Sequence, residues 1–513
     1  MKAYPLGIQT FEKIINGNLL YIDKTKEIYQ LLNYGNYYFY ARPRRFGKSL
    51  LLSTIKNIYQ GKKELFKGLW IENKWDWSKI HPVIHLGFSS MGYQGLGLED
   101  AIAKELDVIA KQHNLILSEK NYARKFKELI VALSKVKGRI ILLIDEYDKP
   151  IIDYLGKEIE QAKTNRSILK TFYSIVKDCD PYLEFMMITG VSKFSKVSIF
   201  SELNSLTDIT FHPRYLKLTG ITQQEIEHYF QEELEYSALQ NDISVEELKN
   251  QIRHWYNGYS WDGKTFVYNP FSLLSYFDFS EFRNFWFETG TPSFLLKLME
   301  QQQMVKMEKF DVGESTFSNY DIEKLQLIPL LFQTGYLTIK AKNSNGLYTL
   351  NYPNIEVQNS LLQNIIGHLR KTEDAYSTPM IIHLQEALEA QNLERLIELI
   401  KSIFKNIPNQ IFKAKSEFYY HSLVYLVFFY LGQYIESEVN TNDGRLDAVV
   451  KTKHYVYILE FKLDESANAA LNQIKNKNYA SKYYADPRKK ILIGINFSTE
   501  QKTVEDWKYE VKT

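Results

Sequence analysis

The sequence predicts an α/β protein, with a parallel sheet carrying a phosphate loop at the amino end and an αβββαβ layer at the carboxyl end. Three observations lead there. Tyr38-Phe39-Tyr40-Ala41 reads as a strand that runs into Arg42-Pro43-Arg44-Arg45-Phe46-Gly47-Lys48-Ser49 and then the helix-ready Leu50-Leu51-Leu52-Ser53-Thr54-Ile55. Ile140 to Ile144 is an unbroken apolar run, the mark of a strand buried on both faces, and it ends in Asp145-Glu146-Tyr147-Asp148. Near the carboxyl end, Arg445-Leu446-Asp447 precedes a strand-like Tyr455-to-Lys462 run that carries Glu460 and Lys462 two positions apart.

The first element is a turn that ends in Gly-Lys-Ser and opens a helix, so that backbone N–H groups point at a phosphate. In that setting Gly47 and Arg45 shape and flank the turn, Lys48 reaches the β and γ oxygens, and Ser49 ligates Mg²⁺. The usual pattern starts with glycine at the position held here by Arg42. The second element supplies the acids: Asp145 for the Mg²⁺ shell and Glu146 to polarise the hydrolytic water. Val83-Ile84-His85-Leu86 and Leu183 to Ile188 read as further strands. The latter leads into Thr189-Gly190-Val191-Ser192, placing Thr189 and Ser192 as sensors of a γ-phosphate. Helical periodicity over about 98–112, 120–134 and 158–177 separates these strands, as a parallel sheet requires. The expected ligand is ATP with Mg²⁺.

In the middle of the chain, 219–256 is helical, with Thr222 and Glu225 forming a capping box. The aromatic, glycine-containing stretch from Trp255 to Asp262 is expected to pack beneath the nucleotide site or close a core. A helix over 321–332, a hairpin over 335–350 around Asn343-Ser344-Asn345-Gly346 and a helix from Pro353 suggest a winged-helix-like module, either a DNA contact or an ATPase lid. From Thr378 to Ile407 a helical connector spaces Leu384, Leu388, Leu393, Ile397 and Ile400 for one buried face. Arg214 is a candidate arginine finger or sensor. Arg44 and Arg45 are placed to touch phosphate or a neighbouring subunit, and a finger acting in trans implies a homo-oligomer.

The carboxyl-terminal elements follow in the order αβββαβ. They are a helix over 416–431, strands over 434–439, 445–450 and 455–462, a helix-like stretch over 466–484 and a strand over 490–495. Asn442-Asp443-Gly444 supplies a hairpin turn. Glu460 and Lys462 leave the same face of their strand, and Asp447 on the preceding strand meets them there. Paired carboxylates suit Mg²⁺ or Mn²⁺. A lysine beside them orients the attacking water and stabilises charge developing on phosphate. Lys475, Lys477 and Lys482 offer a local basic face for nucleic acid.

Six motifs occur in order along the chain: Tyr21-Ile22-Asp23-Lys24-Thr25, Arg42 to Ser49, Asp145 to Asp148, Thr189 to Ser195, Trp255-Tyr256-Asn257-Gly258-Tyr259 and Tyr268-Asn269-Pro270-Phe271. Together they resemble the bacterial AAA-ATPase-like family whose members carry a C-terminal PD-(D/E)XK nuclease-type domain. The resemblance covers nearly the whole chain and makes the Arg-Pro-Arg-Arg-Phe form of the loop a family trait. It implies that Asp447, Glu460 and Lys462 are a phosphodiesterase core, with Arg445 and Asp447 in its Gly-Arg-x-Asp version. Gln473 and Tyr479 match a helix motif of this branch, and Glu417 is a further acid. The expected division is a P-loop NTPase domain over 1–215, a helical lid and winged-helix-like region over 216–375, a connector over 376–412 and a PD-(D/E)XK nuclease-like domain over 413–513. The expected activity is ATP binding or hydrolysis that controls metal-dependent cutting of nucleic acid, DNA more than RNA. The alternatives are a nucleotide-operated binding switch and a remodelling ATPase with an inert nuclease fold.

A net charge of +2 leaves nucleic-acid binding to local patches. Cys179 is the only cysteine, which excludes an intramolecular disulfide and a cysteine-cluster metal site. With no apolar signal segment at Met1-Lys2-Ala3-Tyr4-Pro5, a cytoplasmic protein is expected. The longest apolar run, Leu423 to Leu431, is far too short for a membrane span.

Overall fold

Strands β1 (Tyr37–Ala41), β2 (Val83–Gly87), β3 (Ile140–Asp145), β4 (Leu183–Gly190) and β5 (Thr207–Asp208) pair in parallel in the order β2-β3-β4-β1-β5. All of β3 is buried, as its unbroken apolar run requires. Helices Leu98–Gln112, Tyr122–Lys137 and Ile159–Asp178 make the crossovers. The second starts at Tyr122 and not Lys120, because the Asn121 side chain accepts from the N–H groups of Ala123 and Arg124 and caps it there. In this order β4 lies between β1 and β3, so the phosphate-loop strand and the acid-bearing strand flank a common neighbour.

The computed structural model describes residues 2–193, 205–286, 293–302, 309–317, 322–323, 325–370, 377–404, 416–432, 436–442 and 445–512. At 293, 300, 369–370, 377–378, 416–422, 436–442 and 445–447 it describes the backbone alone. The expectations for Phe194, Ser195, Asp321, Tyr434, Ile435, Asp443, Gly444 and 405–415 lie outside the described residues. By its contacts the chain forms two compact units, 1–297 with 306–358, and 298–305 with 359–513.

In the first unit, helices Gln223–Tyr229, Gln231–Gln240 and Val245–Tyr256 follow the sheet, the first opened by the capping box of Thr222 and Glu225. Their core includes Phe230, Leu248, Tyr256, Tyr268 and Phe277. The helix expected over 321–332 instead runs Leu327–Thr334. Starting there keeps Pro329 in the first turn, where its missing N–H has no helical partner to forgo. Strands β6 (Phe310–Val312), β7 (Thr338–Lys342) and β8 (Tyr348–Asn351) form an antiparallel sheet in the order β6-β8-β7. The β7–β8 turn holds Asn343 to Gly346, with the Asn343 side chain accepting from the N–H groups of Asn345 and Leu347. The next helix, Ile355–Arg370, starts after Asn354, whose side chain accepts from Val357 N.

In the second unit the connector is two helices, Ser377–Glu389 and Leu393–Phe404. Gln391 adopts a left-handed φ of 55° between them, and Asn392 accepts from Arg395 N at the start of the second. Helix Ser416–Leu431 precedes β9 (Glu436–Asn442), β10 (Arg445–Lys451) and β11 (Tyr455–Leu463). Helix Ala467–Asn476, β12 (Lys489–Ser498) and β13 (Thr503–Lys512) follow. The sheet order is β13-β12-β11-β10-β9, parallel only between β11 and β12. This is the expected αβββαβ order with a strand, β13, added at the end. The helix expected over 466–484 stops at Asn476, and Asn478 turns the chain at φ 51° into a short 3₁₀ segment, Tyr479–Tyr483.

Candidate functional site

β1 ends at Ala41 and helix Lys48–Tyr59 begins six residues beyond the loop's first residue, Arg42. Arg45 (φ 66°) and Gly47 (φ 80°) both take left-handed angles, which turn the backbone sharply into the helix. A Cβ on Gly47 would meet nothing within 4 Å, so the demand for glycine there is conformational. Lys48 is buried, and its Nζ donates to the carbonyls of Arg42 and Pro43, each at 2.9 Å. Burial pulls its pKa down, opposed by the charges of Asp145, Glu146 and Asp148.

Arg42 does not occupy the phosphate side of the loop. It is 0 % exposed, and its Nη1 donates to Ala41 O at 2.8 Å and Thr210 O at 2.9 Å. Its guanidinium carbon lies 3.6 Å from the Trp261 ring centroid and 4.4 Å from that of Tyr40. Phe46 packs edge-on against Tyr259 and Trp261. The Trp255-to-Asp262 stretch therefore packs against the loop. Asn269 caps helix Pro270–Phe279 and donates to Arg44 O at 3.4 Å, and Asp23 Oδ1 accepts from the N–H and hydroxyl of Thr25, the first residue of helix Thr25–Tyr34.

β3 delivers Asp145 to the sheet edge, where its Oδ1 accepts from Thr189 Oγ1 at 2.6 Å and Glu146 N at 3.0 Å. Thr189 is fully buried behind that carboxylate and does not line the phosphate-loop cleft, so the structure places it as a support of Asp145. Ser192 is also buried, and its N–H donates to Asp148. Asp148 accepts from Val191 N at 3.0 Å and Ser192 N at 2.6 Å, tying the end of β3 to the end of β4. Burial raises its pKa from 3.8 to about 6, against the lowering effect of those N–H groups and of Lys48. A carboxyl with a raised folded pKa holds its proton more tightly folded than unfolded. Its contribution to stability is therefore greatest below about pH 4 and falls as the pH rises through 6. Asp148→Asn keeps a neutral acceptor and is expected to gain about 2 kcal/mol on the unaltered protein between pH 4 and 7. Urea unfolding at the two pH values measures this; a constant difference would mean that burial does not raise the pKa of Asp148.

The loop shares a cleft of about 400 Å³ with Glu146 and Asp148, its walls also including Arg45, Gly47, Lys48 and Ser49, while the buried Asp145 does not line it. Arg45 also lies 4.8 Å from the Phe271 ring. An apolar recess lined by Ile22, Leu50, Leu218 and Ile221 adjoins it and shares Pro5, Phe46 and Leu274 with it. Sequence reading missed these recess residues because apolar side chains in short segments look like ordinary core. Arg214 is not on the cleft; it stacks on Tyr34 at 4.4 Å. Ser49, second in its helix, and Asp145 offer the oxygen donors that Mg²⁺ prefers.

In the second unit Glu460 is fully buried on β11, and Gln473 donates to its Oε1 from helix Ala467–Asn476. Lys462 lies 3.4 Å from Glu465. The antiparallel register sets Asp447 opposite Glu460, and Gly494 of β12 flanks Glu460 on the other side. The side chains of Asp447, Arg445 and Glu417 lie outside the described residues. Among the described residues no three His, Cys, Asp or Glu side chains converge as a metal site. The Glu460 carboxylate, with an aspartate opposite it in register, has the hard-oxygen chemistry that Mg²⁺ or Mn²⁺ takes. A Cβ on Gly494 would overlap the Ala467 carbonyl oxygen and lie 2.9 Å from Leu471 N, so that helix sits directly on the strand. Tyr479 packs on the core beneath, Lys475 pairs with Glu510, and Lys477 and Lys482 are exposed. No described helix is long and apolar enough to cross a membrane.

A family model described as "Predicted AAA-ATPase" matches residues 5–200, and one described as "PD-(D/E)XK nuclease superfamily" matches 415–507. The "Uncharacterized protein in vnfD 5'region" of Azotobacter chroococcum mcd 1 is 39% identical over 517 residues, covering 98% of each chain. Among solved structures, the Aeropyrum pernix ORC1 protein in complex with DNA matches at 10% identity and TM-score 0.27, over 67% of this chain and 94% of that one. Cdc6p from Pyrobaculum aerophilum matches at 11% identity and TM-score 0.22, over 68% and 89%. At such scores neither likeness supports a conclusion.

Proposed function

The chain belongs to the family of predicted AAA-ATPases that carry a C-terminal PD-(D/E)XK nuclease superfamily domain, and from that premise we propose that it binds Mg²⁺-ATP and uses nucleotide state to govern the binding or cutting of nucleic acid, DNA before RNA. The observation that carries this reading is the single cleft onto which the sheet brings Lys48, Ser49 and Glu146, with Asp145 held behind by Thr189. Lys48 would exchange the carbonyls of Arg42 and Pro43 for phosphate oxygens, while Arg45 and Gly47 shape the loop around them. Ser49 and Asp145 would hold Mg²⁺, and Glu146 would orient the attacking water. The apolar recess beside Phe46 would take the base. In the carboxyl-terminal domain Asp447 and Glu460 would hold Mg²⁺ or Mn²⁺, and Lys462 would position water at the scissile phosphate. When bound, the metal ions would offset the negative charge on the phosphoryl and leaving-group oxygens. Arg44 or Arg45 acting on a second copy would make a homo-oligomer, and the setting would be the cytoplasm.

Cleavage of labelled DNA and RNA with Mg²⁺ or Mn²⁺, with and without ATP, tests the proposal. Glu460→Ala is expected to reduce cutting to background with ATP binding intact. Lys48→Ala is expected to weaken ATP binding by about 30-fold or more and to remove the response to ATP. A folded wild-type protein that binds ATP but cuts no substrate would replace this reading with a nucleotide-operated binding switch.

A further inference from the structure

A second cleft, of about 610 Å³, opens in the first unit between the last turn of helix Val245–Tyr256, strand β7 and the start of helix Ile355–Arg370. It shares no lining residue with the phosphate-loop cleft. Its walls carry Arg253, His254 and Lys340 and no Asp or Glu. Arg253 and His254 are exposed, while Lys340 is partly buried. Lys340 Nζ donates to Pro353 O at 2.6 Å and lies 6.0 Å from the Phe266 ring centroid. Burial alone lowers its pKa, to about 8, with no carboxylate drawing it back up.

The backbone around this lysine is tightly built. Gly258 takes a φ of 120°, and a Cβ there would overlap the Pro353 carbonyl oxygen, so only glycine lets these segments approach. Asn354 closes the start of the long helix by accepting from Val357 N, and its Nδ2 is buried with no hydrogen-bond partner among the described residues. The first N–H groups of a helix lack intrahelical acceptors and carry partial positive charge. Ile355 and Gln358 of that first turn line the cleft.

Three basic side chains and a helix N-terminus line one concavity whose walls carry no acid. Glu356 of the same first turn is fully buried and accepts from Trp286 N, and Glu246, which feels the charge of Arg253, lies outside the lining. The cleft therefore suits a compact, multiply charged anion. A carboxylate would engage only part of this set, whereas a tetrahedral phosphoryl group offers oxygens to all of it. We propose that this cleft is a second phosphate-binding site, separate from the phosphate loop, that takes the phosphoryl group of a free nucleotide or of a nucleic-acid backbone.

Site-resolved acetylation tests this. The full chain is treated with trace N-hydroxysuccinimidyl acetate at fixed ionic strength, with increasing pyrophosphate, and modification is read by peptide mass spectrometry. Pyrophosphate is expected to protect Lys340 saturably, while the exposed Lys104 and Lys135 keep their reactivity. Protection should persist in Lys48→Ala, whose phosphate loop is disabled, and Arg253→Ala should raise the half-protecting concentration by about fivefold or more. Lys340→Met provides the blank for the labelled peptide. Adenosine triphosphate and a short oligonucleotide, compared at equal phosphate concentration, identify the source by which protects first. Equal labelling of Lys340 with and without all three probes overturns the proposal, as does protection that Arg253→Ala leaves unchanged in a folded protein.

Discussion

Arg42→Gly is expected to destabilise the first unit by about 3–5 kcal/mol, although glycine is what a phosphate-loop pattern asks for at that position. The guanidinium is fully buried, and one of its nitrogens satisfies the carbonyls of both Ala41 and Thr210. Those carbonyls would lose that donor, at a cost of about 1–3 kcal/mol for any left buried without another. Trp261 would lose the cation packed on its face, an interaction of roughly 2 kcal/mol when desolvated, and a cavity would open beside Tyr40. Burial opposes the charge on Arg42, as its lowered pKa records, so part of this loss is recovered. For that reason Arg42→Met, which fills the space, should lose less than Arg42→Gly. Urea unfolding, with ATP affinity alongside, reads both. Equal stability of Arg42→Gly and the unaltered protein would mean that the side chain does not hold the loop entrance in place.

The second large effect is expected at a residue with no side chain. Gly494→Ala should bring nucleic-acid cutting down to the level of Glu460→Ala while leaving ATP binding unchanged. The obstructing atoms are the Ala467 carbonyl oxygen and Leu471 N, both backbone, so no rotamer change relieves them. Helix Ala467–Asn476 must shift, at the roughly 1–3 kcal/mol typical of overpacking. The shift would draw Gln473 away from Glu460, which Gly494 flanks in the parallel register. Activity that survives in Gly494→Ala would show that the helix can move without disturbing the carboxylate.

The phosphate loop, β3 and the αβββαβ order were legible because their signals are local: a glycine turn, an unbroken apolar run, a two-residue alternation. The role of Arg42 was not, since its partners Thr210 and Trp261 are remote in sequence and a basic residue in a loop reads as surface. Thr189 looked like a ligand contact because a strand-end hydroxyl is equally suited to phosphate or to a neighbouring carboxylate, and only packing shows that Asp145 has it. Strand β13 escaped notice because just one of its residues, Val504, is buried, and charged residues interrupt the rest. The bends at Gln391 and Asn478 also left no pattern, since neither is glycine.

That same outer strand bears on how the protein behaves when concentrated. Among the described residues β13 has a strand neighbour on one side only, so its other edge presents main-chain groups to any extended chain that drifts alongside. Trp507 and Tyr509, stacked 5.9 Å apart, would make such an encounter adhesive. Glu505, Asp506, Lys508, Glu510 and Lys512 are interleaved with them, and each would have to shed water before a stranger could zip on. The interruptions that hid this strand from sequence reading are thus a guard against fibrous self-assembly.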